Sequence, residues 1–429
     1  PPDALRALCA SARPSPSSPP LPPLLRTSPL PSPVERLVVR GRAVYVKRDD
    51  LLRLPGSAGG ISGNKARKMY GLGALSAEDF PEFVVSHGGP QSNAMVSLAA
   101  AVAARNSDSC GGGDRGSGEN DDAFDGEGVS GSLRGRFRFL YYTKRLPRYL
   151  RNQPSGNLLR ATALGTELLQ MSPDEYSETF SGPAGTSGGA PPPGLPCPGP
   201  GRALWIPQGA ACAAVWPGAV RLAVEIAAFW ESSNENGAAE EEGLVVVVPS
   251  GTGTTALLLH RALHAAAVRE AAGLGPHGGA GGVAVVAVPC VGDARYLRRQ
   301  MAALDVAAGT GDGADLPEVL EPVDRRDGRG ALRPGYFSFG EPHRALLRTW
   351  QELGDEHGLF VDLLYGAPAW NIMFGHWRNA LRDGENRRPP SPIDGKAVMY
   401  LHTGGLEGLS SQLTRYKHKG YLESDKVQK

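Results

Sequence analysis

Cysteine is scarce in this chain: five in 429 residues, at Cys9, Cys110, Cys197, Cys212 and Cys290. They are scattered, with no CxxC and no paired Cys/His spacing. That argues against a disulfide framework and against a metal site, and makes a reducing, intracellular setting the default. An excess of charge of one sign is also missing, because Lys+Arg 45 stand against Asp+Glu 44. Nothing in that balance draws the chain to nucleic acid or to an anionic membrane. No uninterrupted apolar run is long enough to span a bilayer. No internal repeat is visible.

Glycine (57) and proline (37) are abundant and clustered. Residues 106–132 and 181–201 read as low-complexity insertions. Glu231–Gly243, Ala271–Gly282, Ala308–Asp315 and Arg382–Asp394 are shorter stretches of the same kind. None can build a packed core, so all are expected to be surface loops. Pro1–Pro33 carries Arg6, Arg13 and Arg26 among many Ser and Pro, with Asp3 its only acid. It reads either as the remainder of a mitochondrial or plastid transit peptide or as a disordered leader on a cytoplasmic protein.

Between these segments strands alternate with helices. Val44–Lys47, Phe83–Ser86, Phe137–Tyr142, Leu244–Val248, Val283–Val288 and Ala397–Leu401 have strand character. Lys65–Leu75, Ser92–Ala104, Pro217–Trp230, Thr254–Ala267, Ala294–Leu304 and Arg344–His357 have helical character. Such alternation predicts an α/β fold with parallel sheets covered on both faces.

Two motifs set far apart carry the chemistry. The first is Ser62-Gly63-Asn64-Lys65, followed by Gly88-Gly89-Pro90-Gln91-Ser92-Asn93. A lysine acts as a Schiff-base nucleophile when it is partly neutral and fixed in place. Lys65 stands at a predicted helix start, where the backbone N–H groups disfavour a cation. Lys47 and Lys68 are its competitors for the role. Ser92 and Asn93 fall at the next helix start, where they either cap the helix or reach a ligand oxygen. The second motif is Ser250-Gly251-Thr252-Gly253-Thr254-Thr255, directly after the apolar run Leu244–Val248. Backbone donors, hydroxyls and a helix N-terminus suit a phosphate. The loop is neither a Walker loop nor GxGxxG. An imine-forming lysine and a phosphate cradle in one chain point to pyridoxal 5'-phosphate (PLP), a cofactor held at both ends. Tyr365, in Val361–Ala367, is a candidate acid or base, and His402-Thr403-Gly404-Gly405 allows close approach to a flat ring.

Taken in order, these motifs resemble the 1-aminocyclopropane-1-carboxylate (ACC) deaminase / D-cysteine desulfhydrase family of PLP enzymes. The similarity runs from about Val44 to about Gly408, and also takes in Tyr45–Leu51, Ser62–Lys68, Ile206–Ala210 and Asp362–Tyr365. It implies a two-domain PLP fold of type II, like the tryptophan synthase β chain, with the cofactor in the cleft. Residues 34–67 and 204–429 would form the large domain and residues 68–203 the small one. The resemblance assigns the imine to Lys65 and the ring oxygen to Asn93. It gives the phosphate to Ser250, Gly251, Thr252, Gly253, Thr254 and Thr255, with Thr403 near the ring. Gln91, Ser92 and Asn93 would meet the substrate carboxylate or help with proton transfer, and Tyr365 would face the substrate. A small amino acid as substrate and a homodimeric state are implied too.

The chain departs from the family at two places. Ala94, Met95 and Val96 stand where polar side chains usually follow the QSN triplet. Gly366 follows the tyrosine where ACC deaminases carry a glutamate that keeps the pyridine nitrogen protonated. Losing that carboxylate speaks against opening the cyclopropane ring and leaves the easier β-elimination open. D-cysteine desulfhydrase is therefore the expected activity, ACC deaminase the alternative, and a non-catalytic PLP-binding protein the reading from another class.

Overall fold

A computed structural model describes residues 31–54, 61–110, 135–180, 192, 195, 201–235, 243–265, 282–326, 332–380 and 391–422. The valine-rich run Leu244–Ser250 is buried along its whole length, as expected of a strand covered on both faces. It lies within a six-stranded sheet. The order is Val34–Val39, Arg42–Lys47, Ala397–Leu401, Leu244–Ser250, Val283–Pro289, Glu318–Val319. The first pair is antiparallel, with Val34 opposite Lys47, and every other pair is parallel.

A second sheet has four parallel strands, in the order Glu167–Met171, Arg138–Lys144, Phe83–His87, Ala203–Ile206. This moves one expected boundary. Ala203–Ile206 pairs with Phe83–Ser86, so the chain leaves this sheet after Ile206 and not at residue 203. Trp205 and Ile206 account for the difference, being 1% and 2% exposed in the core of this sheet.

Other boundaries shift for similar reasons. The expected leader ends at Pro33, yet Ser32 is buried. Its hydroxyl donates to Asp49 Oδ1 and its carbonyl accepts from Lys47 Nζ. Residues 1–30 lie outside the described residues. The helix Asn93–Cys110 continues into the stretch read as an insertion from residue 106, and the rest of that stretch, 111–132, lies outside the described residues. Asn106 staples that helix to the next strand, donating to the Phe137 carbonyl and accepting from the Phe137 N–H. Likewise Trp216–Glu235 is one helix that enters the segment read as a loop from Glu231. The predicted helix Lys65–Leu75 is two short helices, Asn64–Lys68 and Tyr70–Gly73. Its second half presses so closely on the chain ahead of Trp216 that a Cβ at Gly71 would lie 2.6 Å from the Ala214 carbonyl oxygen.

The stretch Ala213–Ser233 is, by length and composition, apolar enough to cross a bilayer. Here it is a core helix, with Leu222, Ala223, Ile226, Ala227 and Trp230 packed against the six-stranded sheet.

The topology places the motifs. Leu244–Ser250 runs into the glycine-threonine loop, Ala397–Leu401 into His402–Gly405, and Phe83–His87 into Gly88–Asn93. All three lie beyond the carboxyl ends of parallel strands, where open α/β sheets bind ligands.

Candidate active site

The turn before Lys65 requires glycine. Gly63 has φ 64° and ψ −150°, a region open to glycine almost alone. A Cβ there would lie 2.6 Å from the Thr403 carbonyl oxygen. That closeness lets the Asn64 N–H donate to the same oxygen at 3.0 Å. The Asn64 side chain donates to Thr255 Oγ1 at 2.8 Å. The residue ahead of the lysine is thus tied to both the His-Thr-Gly-Gly turn and the glycine-threonine loop, and the two distant motifs meet.

Lys65 is half-buried. No hydrogen bond to its amine is found among the described residues. Burial lowers its pKa below the ordinary lysine value, and the carboxylates of Glu407 and Asp362 oppose the shift. Glu407 also accepts from Ser62 Oγ. Lys68 is buried and donates to the Gly209 carbonyl at 2.7 Å. Burial, then the nearby Lys65, drive its pKa well down. Gly209 leads back to the loop, since a Cβ on it would be 3.4 Å from Thr252 Cγ2.

A five-residue helix cannot hold a reactive lysine in place by itself. Arg67, two positions on, anchors it. Its guanidinium donates to Asp49 through Nε and Nη2, both at 2.7 Å. It also donates to Glu225 at 2.8 and 2.7 Å and to Ser32 Oγ at 3.0 Å. Lys47 Nζ completes the cluster with a 2.7 Å contact to Glu225. Two cations and two carboxylates, each at most 9% exposed in the side chain, balance one another. The cluster occupies Lys47, which is thereby committed to structure.

In the glycine-threonine loop, Gly253 has φ 73° and precedes the helix Thr254–His264. A Cβ on it would meet Met301 Cγ at 2.3 Å. The Thr252 and Thr254 hydroxyls lie 2.8 Å apart. Ser250 differs from the expectation, because its hydroxyl is buried and donates back to the Val248 carbonyl. Tyr365 covers the loop: a Cβ on Gly251 would sit 3.3 Å from Tyr365 Cε1. Burial raises the Tyr365 hydroxyl pKa, so it stays protonated at neutral pH. Asp362 fixes the tyrosine, accepting the N–H groups of Leu364, Tyr365 and Gly366 at 2.8, 2.7 and 3.0 Å.

The Gly88–Asn93 turn rests on Tyr141, which is fully buried and donates to the Gly89 carbonyl. Ser92 Oγ accepts from the Met95 N–H at 3.4 Å, as a helix-capping side chain does. Gln91 is engaged at both ends of its amide. Its Oε1 accepts from the Asn157 N–H at 2.8 Å, and its Nε2 donates to the Ser155 carbonyl at 3.0 Å. Asn157 Nδ2 reaches Asn93 Oδ1 at 2.6 Å. Ala94, Met95 and Val96 are all buried, so polar side chains at these positions would point into the core and not at a ligand.

Asp362, Asn157, Tyr141 and the Arg67 cluster were not singled out from sequence. Asp362 and Arg67 lie inside quoted motifs and were legible there as possible anchors. Asn157 stands in an unremarkable helical run.

No family model matches the chain, and no curated protein matches it. Among solved structures it is similar to an ACC deaminase homologue, with 17% identity over 90% of this chain and 93% of that one and a TM-score of 0.50. The fold is that of the type II PLP enzymes. Other similar structures are a fungal L-serine ammonia-lyase from Rhizomucor miehei, 11% identical over 90% and 98% with a TM-score of 0.45, and a cysteine synthase from Entamoeba histolytica, 13% identical over 92% and 90% with a TM-score of 0.45.

The residues present fit such a cofactor. A half-buried amine and an Asn93 amide donor, each without a hydrogen-bond partner among the described residues, and a helix N-terminus with two hydroxyls beside it match an aldehyde carbon, a phenolic oxygen and a phosphate.

Proposed function

We propose that this chain is a PLP-dependent lyase or deaminase acting on a small amino acid, and within that class a D-cysteine desulfhydrase. One observation carries the reading: the Lys65 turn is bound through Asn64 to Thr255 of the glycine-threonine loop. A phosphate would be held by the backbone N–H groups of Gly251–Thr255 and the hydroxyls of Thr252 and Thr254. An anion there would also restore the charge that burial removes from Lys68. Asn93 would donate to the ring oxygen. When bound, PLP supplies an electron sink for a carbanion at the substrate α-carbon.

The chain's own groups account for the proton movements. Lys65, with its depressed pKa, is a base that accepts the α-proton at Nζ. Tyr365, protonated at neutral pH, donates from its hydroxyl to a leaving group. Loss of sulfide from D-cysteine, with one water consumed, yields pyruvate, ammonia and hydrogen sulfide. The position after Tyr365 favours this over ACC. A Cβ on Gly366 would lie 2.5 Å from Val361 Cβ and 3.2 Å from the Tyr400 hydroxyl. No carboxylate fits there to hold a proton on the pyridine nitrogen, and thiolate leaves without that help.

The test is a paired assay on the PLP-loaded protein, sulfide from D-cysteine against 2-oxobutanoate from ACC. Sulfide release supports the proposal. 2-Oxobutanoate alone replaces it with ACC deamination, and a visible cofactor band without any keto acid makes the protein a non-catalytic PLP binder.

A further inference from the structure

The orientation of a side-chain amide follows here from neighbours that can only donate or only accept. An amide has a donating and an accepting end, and the wrong end facing a partner loses the bond. The Asn157 N–H donates at 2.8 Å to Gln91, which must therefore present Oε1. Gln91 Nε2 then falls on the Ser155 carbonyl at 3.0 Å. The turn between them fits this amide closely: Gly156 has φ 60°, and a Cβ on it would be 2.6 Å from Gln91 Oε1. Asn157 Nδ2 faces the Gln91 backbone carbonyl at 3.0 Å, which can only accept. Its Oδ1 faces the guanidinium of Arg160 at 3.4 Å, which can only donate. Both ends of Asn157 are thus determined. Its remaining Nδ2 proton points at Asn93, 2.6 Å away, and calls for Oδ1 there. The Asn93 NH2 group is left facing the other way, without a partner among the described residues. Asn157 itself is buried.

We propose that Asn157 is a positioning residue that locks the Asn93 amide with its NH2 group outward, so that this point of the site takes an anionic or hydrogen-bond-accepting oxygen of the ligand. The inference rests on the reading that Lys65 carries PLP, whose phenolic oxygen is the acceptor. A donor on that oxygen draws off negative charge and weakens the oxygen's hold on the proton at the neighbouring nitrogen. Loss of the donor leaves the proton more tightly held.

The experiment titrates the visible absorption of the full-length, PLP-loaded protein from acid to alkali. Asn157→Ala and the nearly isosteric Asn157→Asp are compared with Asn93→Ala and with the double variant Asn93→Ala/Asn157→Ala. Each Asn157 variant is expected to move the spectral midpoint to higher pH, in the direction of Asn93→Ala. Asn157→Asp moves it at least as far as Asn157→Ala, because a carboxylate makes the Asn93 amide turn its oxygen outward. The double variant shows no shift beyond Asn93→Ala, since Asn157 acts only through Asn93. A purely structural role would lower thermal stability and leave the midpoint where it was. Unshifted Asn157 variants, or shifts that add in the double variant, overturn the inference while leaving the Lys65 reading standing. Absence of the band in the unmodified protein overturns both.

Discussion

Replacing Arg67 by methionine tests how the reactive lysine is held. The substitution keeps apolar volume and removes the guanidinium from a cluster of Asp49, Glu225, Lys47 and Ser32. Lys47 still answers Glu225, but among the described residues the side chain of Asp49, fully buried, retains only the hydrogen bond from the Ser32 hydroxyl. Breaking a buried ion pair by removing one partner costs ~3–5 kcal/mol, because the other charge stays behind uncompensated. Counting the five bonds separately would give more, yet they share one desolvation cost and do not add. In urea, with a slope of ~3 kcal/mol per molar for a chain of this size, the unfolding midpoint should fall by roughly 1 M or more. Asp49→Asn introduced alongside should recover much of the loss, since the stranded charge is then gone. PLP retention should weaken in the single variant because Lys65 lies two residues away. A loss below ~1 kcal/mol, or strictly additive single effects, would refute the account of the cluster as a coupled anchor.

Further outcomes follow from the same geometry. Thr252→Ala with Thr254→Ala should raise the PLP dissociation constant by ~10–100-fold through loss of phosphate donors, measured by equilibrium titration; unchanged affinity would remove the loop from the site. Gly366→Glu should cost ~1–3 kcal/mol by crowding Val361 and Tyr400, and should release no 2-oxobutanoate from ACC. Lys68→Met should stabilise the cofactor-free protein more at neutral pH than near pH ~10.5, the ordinary lysine value. The sign follows from the depressed pKa of the folded lysine. Between its folded and unfolded values the unfolded chain binds the extra proton, so wild-type stability rises with pH through that window. Thermal scans at several pH values check this, and a pH-independent difference would contradict it.

The parts of the site legible in sequence are those whose chemistry is local. Gly63 and Gly253 mark turns that need positive φ, and Leu244–Ser250 announces a buried strand by valine alone. The close approach of Gly63 to Thr403 and the link from Asn64 to Thr255 are not local, because they join positions 340 and 191 residues apart in sequence. Only packing brings them together. Two side-chain contacts are hidden in the sequence for the same reason. Ser250 turns its hydroxyl into its own strand, and Gln91 spends its amide on a loop near Ser155 that no pattern connects to it. The edge strand Val34–Val39 was hidden by its charged residues, the half-buried Glu35 and the exposed Arg36. Gly366 was visible as a missing carboxylate. That Val361 and Tyr400 fill the space required the structure.

The most direct measurement reduces the PLP-treated protein with borohydride, digests it and locates the label by mass spectrometry. The account predicts the pyridoxyl group on Lys65, and its disappearance in Lys65→Ala but not in Lys68→Ala. A label on Lys68 or elsewhere, or a labelled Lys65→Ala protein, would contradict it.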